Sequence, residues 1–494
     1  MAEATVISTP PSAHSGTADT GYGSKSYRNY ILGILLTVYI FNFIDRTIIN
    51  ILTEPIKESF GVEDWQMGLL GGPAFAILYT FVGIPIARFS EKHHRVWIIA
   101  GSVFLWSLMT VLCGFATSFI ALFIFRIGVS IGEAGCSPPA NSLIADYFVP
   151  AERSTAVSVY ALGIPLGGMV AYVFGGFIVG SLDGPIIAAL LASWNWTWAV
   201  NALDWQNIEG WRVAFAVVGV PGLIVAAIVK LTIAEPPRGY TDPVEMQNRE
   251  QVGFREVLRI LSQKPAYWHV TMGVTIASFV NYGVGQFFVS FLIRTHELSI
   301  FDASVKIAMA LAVMAAIGTY MSGYLADRYA KRFPKALALI PMFALIGVIP
   351  MHVIGYLAES LWLAVPLMMV GQMLLYTYLC PLYAVPGGVV DSRMRATAVA
   401  VTLFIVNLLG YGLGPPLIGG LSTILNATFL SGLDPALTLE ACKASNLTAA
   451  AQGACDSANA DGLRWSMVLF KCLYLWAIFH FYMASRTIQR DMGR

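Results

Sequence analysis

About twelve apolar runs of roughly 18 to 25 residues, each long enough to cross a bilayer as a helix, punctuate this chain. They fall near 30–52, 65–87, 96–116, 119–145, 154–180, 211–233, 266–293, 303–325, 336–356, 361–386, 396–424 and 464–484. Lipid satisfies no backbone polar group, so such runs must close their hydrogen bonds internally, and an all-α polytopic membrane protein follows. The balance of 57% hydrophobic against 12% charged residues over 494 positions excludes a soluble globular chain. A net charge of +1 gives no footprint for nucleic acid.

Arg88, Lys92, Arg95, Arg153, Arg238, Arg249, Arg255, Arg259, Lys264, Arg328, Lys331, Arg332, Lys335, Arg393, Arg395, Arg486 and Arg490 all fall on one side of these spans. The excess of basic residues places that side, and both termini, in the cytoplasm of a multi-pass protein of a bacterial inner membrane or plasma membrane. The predicted organisation is a disordered tail (1–26), a six-helix bundle (27–234), a cytoplasmic linker (235–264), a second six-helix bundle (265–485) and a short tail (486–494). Two long loops, about 181–210 and 425–463, face the other side. Cys442 and Cys455 share the second of them, where they form either a disulfide or two free thiols, whereas Cys113, Cys136, Cys380 and Cys472 fall within helices.

Arg126 and Glu133 lie two helical turns apart in an otherwise apolar segment, so both side chains look into one space. Asp45-Arg46 forms a second such pair inside the first span. Ionisable groups at membrane depth are costly and persist mostly where they pair, line a water-filled path or relay protons. Counting residues from the outer helix ends puts Asp45 and Arg126 at similar depth, roughly 10 Å in, which permits a pair if the helices are neighbours. Glu133 lies deeper, with no obvious cation at its own level. One carboxylate fixed by an arginine and one free to load and unload a proton is what a proton switch requires. Pairing could also alternate, with Arg126 or Arg46 drawn to Glu133 when Asp45 is neutralised. The competing reading is a pair of structural salt bridges.

The two halves repeat each other. Arg153-Ser-Thr-Ala-Val-Ser-Val159 returns as Arg395-Ala-Thr-Ala-Val-Ala-Val401, and Gly83-Ile-Pro-Ile-Ala87-Arg88 corresponds to Gly323-Tyr-Leu-Ala-Asp327-Arg328. Parallel repeats of this kind build transporters that rock two bundles about a site at mid-membrane. The halves differ in chemistry: the apolar cores of the last six spans carry no Asp or Glu, and their polarity comes from Asn281, Tyr282, Gln286, Tyr376, Tyr378, Asn407, Tyr411 and Lys471. A cavity with charge on one wall and aromatic groups on the other suits an amphiphile, whose anionic head Arg46 or Arg126 could hold bidentately. Tyrosines and asparagines on such helices are more often glue between helices than substrate ligands. Gly410 to Gly420, with Pro415 and Pro416, marks a kink or close packing.

The Gly323-x-x-x-Asp327-Arg328 loop, its degenerate first copy and the Arg126 helix resemble the major facilitator superfamily. More narrowly, Phe43-Ile-Asp45-Arg46, Arg126-Ile-Gly-Val-Ser-Ile-Gly-Glu133-Ala, Leu143-Ile-Ala-Asp146-Tyr-Phe and Arg153-Ser resemble the Spinster lipid transporters. Ala87 departs from the superfamily loop, which usually has an acidic residue there. The resemblance implies two six-helix bundles in the major facilitator fold and proton-coupled transport of lysophospholipid or sphingoid-phosphate amphiphiles by alternating access. Glu133 and Asp45 would couple protons, and Arg46 and Arg126 would pair charge with the head group. Asn281, Tyr282, Gln286, Tyr376, Asn407 and Tyr411 would line the cavity, with Arg88, Arg95, Asp327, Arg328 and Arg153 gating the cytoplasmic side.

The proton gradient would supply the energy, with no cofactor, no metal and no nucleic-acid partner, in a protein acting as a monomer in the bilayer. A carrier of a small organic anion or drug, or a non-transporting sensor on the same scaffold, is the alternative. The spacing of nucleophiles and acids offers no enzyme site, and His93-His94 lies in a basic loop.

Overall fold

The computed structural model describes residues 21–493 except 183, 202–203, 242–252, 331, 392–393 and 445. The first 20 residues of the expected tail and the middle of the expected linker therefore lie outside the described residues. Twelve helices among the described residues are long and apolar enough to span a membrane, and no strand is present there. They are α1 (Lys25–Ile51), α2 (Asp64–Ser90), α3 (Arg95–Gly114), α4 (Phe119–Tyr147), α5 (Pro150–Ser181), α6 (Gly210–Thr232), α7 (Pro265–His296), α8 (Asp302–Tyr329), α9 (Ala336–Leu357), α10 (Leu361–Gly388), α11 (Thr397–Leu433) and α12 (Ala449–Asp491).

In the first half α3 packs on α4 and α6, α1 on α5, and α2 on α4; in the second, α12 packs on α7, α9 and α11, and α10 on α8 and α9. The halves meet along α2 with α11, α5 with α8, and α1 with α7. The seam is tightest at the end away from the chain termini. A Cβ added to Gly68 would lie 2.5 Å from the Pro415 carbonyl oxygen, and one on Gly72 would lie 2.7 Å from the Gly412 oxygen. Glycine removes the side chain that would hold these backbones apart.

Helix ends differ from the sequence expectation where local chemistry outweighs hydropathy. α1 starts at Lys25 because Ser24 caps it, its side chain accepting from the Tyr27 amide at 3.2 Å. Just before it, the Tyr22 ring packs edge-on against Tyr147 and Tyr240. The expected loop 425–463 is instead mostly helix: α11 runs to Leu433, and α12 begins at Ala449 behind a Thr448 cap. Residues 449–463 are polar but alanine-rich, and helix propensity extends the helix beyond the apolar span. A π-helical turn at Val406–Tyr411 precedes Pro415 and Pro416, which stand inside the helix that follows.

Cys442 and Cys455 are joined, 5.8 Å apart between Cα atoms, across a separation of 13 residues. This settles the open alternative in favour of the bridge. Closing a loop of that length stabilises the segment by about 3 kcal/mol in the chain-entropy account. Cys442→Ser is expected to raise amide exchange in 434–458, including the first turns of α12, and to leave the rest of α12 and the other eleven spans protected, as hydrogen-exchange mass spectrometry can check.

Candidate functional site

Four charged side chains meet between α1 and α4 in the first half. Asp45 is 1% exposed and accepts from the Thr110 hydroxyl of α3 at 2.7 Å. Arg126 of α4 lies over it: Nη1 is 3.9 Å from Asp45 Oδ1, while Nη2 donates at 2.7 Å to the Asp45 backbone carbonyl. The shared depth read from the sequence thus gives real proximity, but the close bond is to the backbone. Arg126 Nε and Nη1 are buried without a hydrogen-bond partner.

Glu133 is fully buried and has a cation, contrary to the expectation that none lies at its level. Arg46 Nε donates to Glu133 Oε2 at 2.8 Å. Adjacent residues on a helix diverge by about 100°, so Asp45 turns to α3 and Arg46 can reach the other part of α4. Arg46 is long enough to cross the gap, and aromatic faces steady it: its guanidinium carbon sits 4.5 Å from the Tyr79 ring centre, 4.6 Å from Phe75 and 5.1 Å from Phe43. Glu133 Oε1 makes no close hydrogen bond. Two ion pairs, from adjacent residues of α1 that point different ways, therefore share α4.

The second half supplies an aromatic wall. Tyr282, midway along α7, stacks edge-on with Tyr411 of α11 at 4.7 Å, and Tyr411 in turn meets Phe75 of α2 at 5.5 Å. Tyr282 keeps 39% of its surface exposed at mid-helix, and Asn281, Tyr376 and Asn407 are half-buried. Gln286 lies nearer the sealed end, where it donates to Thr53 Oγ1 across the halves at 3.0 Å and fills the space above Gly71. It roofs the site. Lys471 is buried between the Tyr356 and Tyr474 rings, inside its own bundle.

A charge cluster that sequence reasoning missed seals the far end. Arg294, in the last turn of α7, donates to Glu54 at 2.6 Å and to Asp64 at 2.7 and 2.8 Å, and also reaches Asn459 of α12 at 3.1 Å. Lys57 binds Asp64 at 2.8 Å, and the Ser422 hydroxyl of α11 binds it at 2.7 Å. Glu54 and Lys57 stand on the short helix Thr53–Phe60 that follows α1. Two cations and two carboxylates cancel here, with every partner hydrogen-bonded, which is what burial of charge requires. In sequence each residue has a bland local reading: Asp64 opens a helix and Arg294 closes one, as the helix dipole favours.

Toward the terminal end Phe81 of α2 still meets Phe404 of α11 at 5.7 Å, but no ion pair among the described residues joins the halves beyond it. Arg88, Asp327 and Arg328 are exposed and form no ion pair among the described residues; Arg328 only approaches the Tyr324 hydroxyl at 3.5 Å. Arg95 and Arg153 serve within the first half. Arg95 is fully buried, pairs with Asp146, and grips Glu235 at 2.6 Å and the Pro236 carbonyl at 2.9 Å. Arg153 donates to the Ala145 carbonyl and to Thr241. Both tie the start of the linker to the bundle. The seam between the halves is thus clamped by charge at one end and open to solvent around Arg88, Asp327 and Arg328 at the other, with buried charge on the first-half side and aromatic rings on the second.

The sequence pattern of the Major Facilitator Superfamily matches residues 35–415. An MFS-type efflux pump of Mycolicibacterium smegmatis is 30% identical over 394 residues, covering 80% of this chain and 84% of that protein. Protein spinster of Drosophila melanogaster is 27% identical over 458 residues, covering 87% of this chain and 68% of that one. A crystal structure of a bacterial homolog to the human lysosomal transporter Spinster, inward-facing and unoccupied, superimposes with a TM-score of 0.88 at 39% identity, covering 95% of this chain and 99% of that one.

Proposed function

The chain belongs to the major facilitator superfamily as a transporter of the Spinster type, and from that premise we propose that it carries an amphiphilic lipid, of the lysophospholipid or sphingoid-phosphate class, by alternating access coupled to a proton gradient. The observation that carries this reading is the inequality of the halves where they meet: Asp45, Arg46, Arg126 and Glu133 in the first, Tyr282 and Tyr411 in the second. The charged wall takes the head and the aromatic wall the tail. Arg126 is the better head-group ligand, because its Nε and Nη1 donate no hydrogen bond and its ion pair with Asp45 is long, at 3.9 Å, whereas Arg46 is bonded to Glu133. We assign the open end to the cytoplasm, in keeping with its basic loops and with the inward-facing relative.

Proton entry at Glu133 would release Arg46, loosening the bond between α1 and α4 that holds this arrangement. Asp45 keeps its Thr110 bond and stays beside Arg126 through that step. Asp327, Arg328 and Arg88 would meet across the cytoplasmic seam in the opposite state. No cofactor or metal enters this scheme, and one copy of the chain suffices.

Flux into proteoliposomes under an imposed pH gradient tests the reading, with lysophospholipids, sphingoid phosphates, organic anions and a planar drug compared in parallel. Gradient-dependent flux of the lipids alone is expected; saturable flux of hydrophilic anions with no competition by lipid would sink it. Arg126→Ala is expected to weaken binding of the anionic amphiphile about tenfold or more, the worth of one or two charge-assisted hydrogen bonds. Binding of a neutral analogue of equal tail length should change little, as equilibrium titration can show. A drug-efflux role is the second reading, favoured by the 30% identity to the mycobacterial efflux pump.

A further inference from the structure

Between α5 and α6, at the sealed end, the chain runs from Gly184 to Leu203 without one Asp, Glu, Lys or Arg. It forms the helix Gly184–Ser193 and the short turn of helix Thr197–Val200. The base is pinned to the bundle: the Gly184 amide donates to the Ile208 carbonyl at 3.0 Å, and Gly184 lies so close to the Trp205 carbonyl that a side chain has no room. Ile187 still packs against the bundle, and past it the segment turns outward, with 192–198 exposed. Trp194, Trp196 and Trp198 are 62%, 50% and 73% exposed, and Leu190 is 43% exposed. Three indoles and a leucine facing water would form a large apolar patch with no charge to keep it soluble.

The site of attachment says what covers this patch. The segment leaves the end of α5, whose Phe174 and Phe177 face outward at 55% and 49% exposure in the apolar belt of the spans, so its own apolar face continues that belt. Tryptophan favours the headgroup level, where its ring is buried and its N–H stays hydrated. We propose that residues 184–200 form a membrane-bound hairpin lying in the interface of the leaflet at the sealed end, with the bilayer itself as partner. Having no basic residue, it binds by apolar insertion and takes zwitterionic lipid as readily as anionic lipid. It would flank α5 where Gly176 and Gly180 approach Ser304 of α8 and Phe301 just before it.

The test reconstitutes the full chain and a Trp194→Phe/Trp196→Phe/Trp198→Phe variant in phosphatidylcholine vesicles, with and without brominated acyl chains. The difference between the two emission spectra isolates the three indoles. Brominated lipid is expected to remove about half or more of that difference signal, while aqueous iodide removes about a tenth or less. The result should be the same at low and high protein density. Quenching by iodide and not by brominated lipid would overturn the proposal, placing the hairpin in water. So would a signal that neither agent reaches and that varies with protein density, which would mean a second copy covers it. Should the triple variant fold poorly, the single Trp198→Phe difference decides on the same criteria.

Discussion

Glu133→Gln is expected to abolish the pH dependence of the conformational equilibrium and to lower gradient-driven transport by roughly two orders of magnitude. The Arg46–Glu133 pair is buried, with side-chain exposures of 19% and 0%. Removing one partner of such a pair costs about 3–5 kcal/mol, because the other charge is left uncompensated, and each ~1.4 kcal/mol is a factor of ten. The amide cannot ionise, so the variant should occupy at every pH the state that the wild type favours at low pH. Asp45→Asn should act more weakly: the short Arg126 bond goes to the Asp45 backbone carbonyl, which the substitution keeps, and the lost side-chain pair spans 3.9 Å. Distances between spin labels across both ends, followed over pH in purified, folded variants, measure this. A full wild-type pH response in Glu133→Gln would remove Glu133 from the coupling role.

Arg294→Ala should open the sealed end. The guanidinium binds Glu54, Asp64 and Asn459 together, so its loss leaves Asp64 with Lys57 and takes from Glu54 its ion-pair partner. A loss of about 3 kcal/mol, the low end for breaking a buried pair, shifts the balance between states about 100-fold toward the form open at that end. Arg294→Lys should recover only part of the clamp, since an ammonium cannot bridge both carboxylates with the same fork. The comparison is Lys443, whose hydrogen bonds to Glu440 and then Glu63 hold its ammonium above the ordinary lysine value. It is about one-third exposed, so Lys443→Ala should shift the populations less than about threefold. Gly68→Val offers an independent wedge, forcing α2 from Pro415. Unchanged label distances in Arg294→Ala would mean that packing, and not charge, holds the seam.

The twelve spans, the two repeated bundles and the four interior charges at 45, 46, 126 and 133 follow from the sequence by itself. The reason is local: an apolar run of fixed length must be a helix in lipid, and an ionisable residue inside one stands out against its neighbours. Spacing along one helix also places Arg126 and Glu133 on a common face. Spacing does not say which arginine a carboxylate meets. That depends on how α1 crosses α4 and on the reach of a long side chain, and it gave Arg46 to Glu133, leaving Arg126 on a backbone oxygen. The helical start of α12 hid behind polar residues, because hydropathy reports the membrane and not the helix. The clamp at the sealed end was the least legible feature. Glu54, Asp64, Arg294, Ser422 and Asn459 come together only when the two halves close, and each alone looks like an ordinary helix end or surface residue. Local periodicity fixes which way a side chain faces, and only the packing of distant helices decides what it finds there.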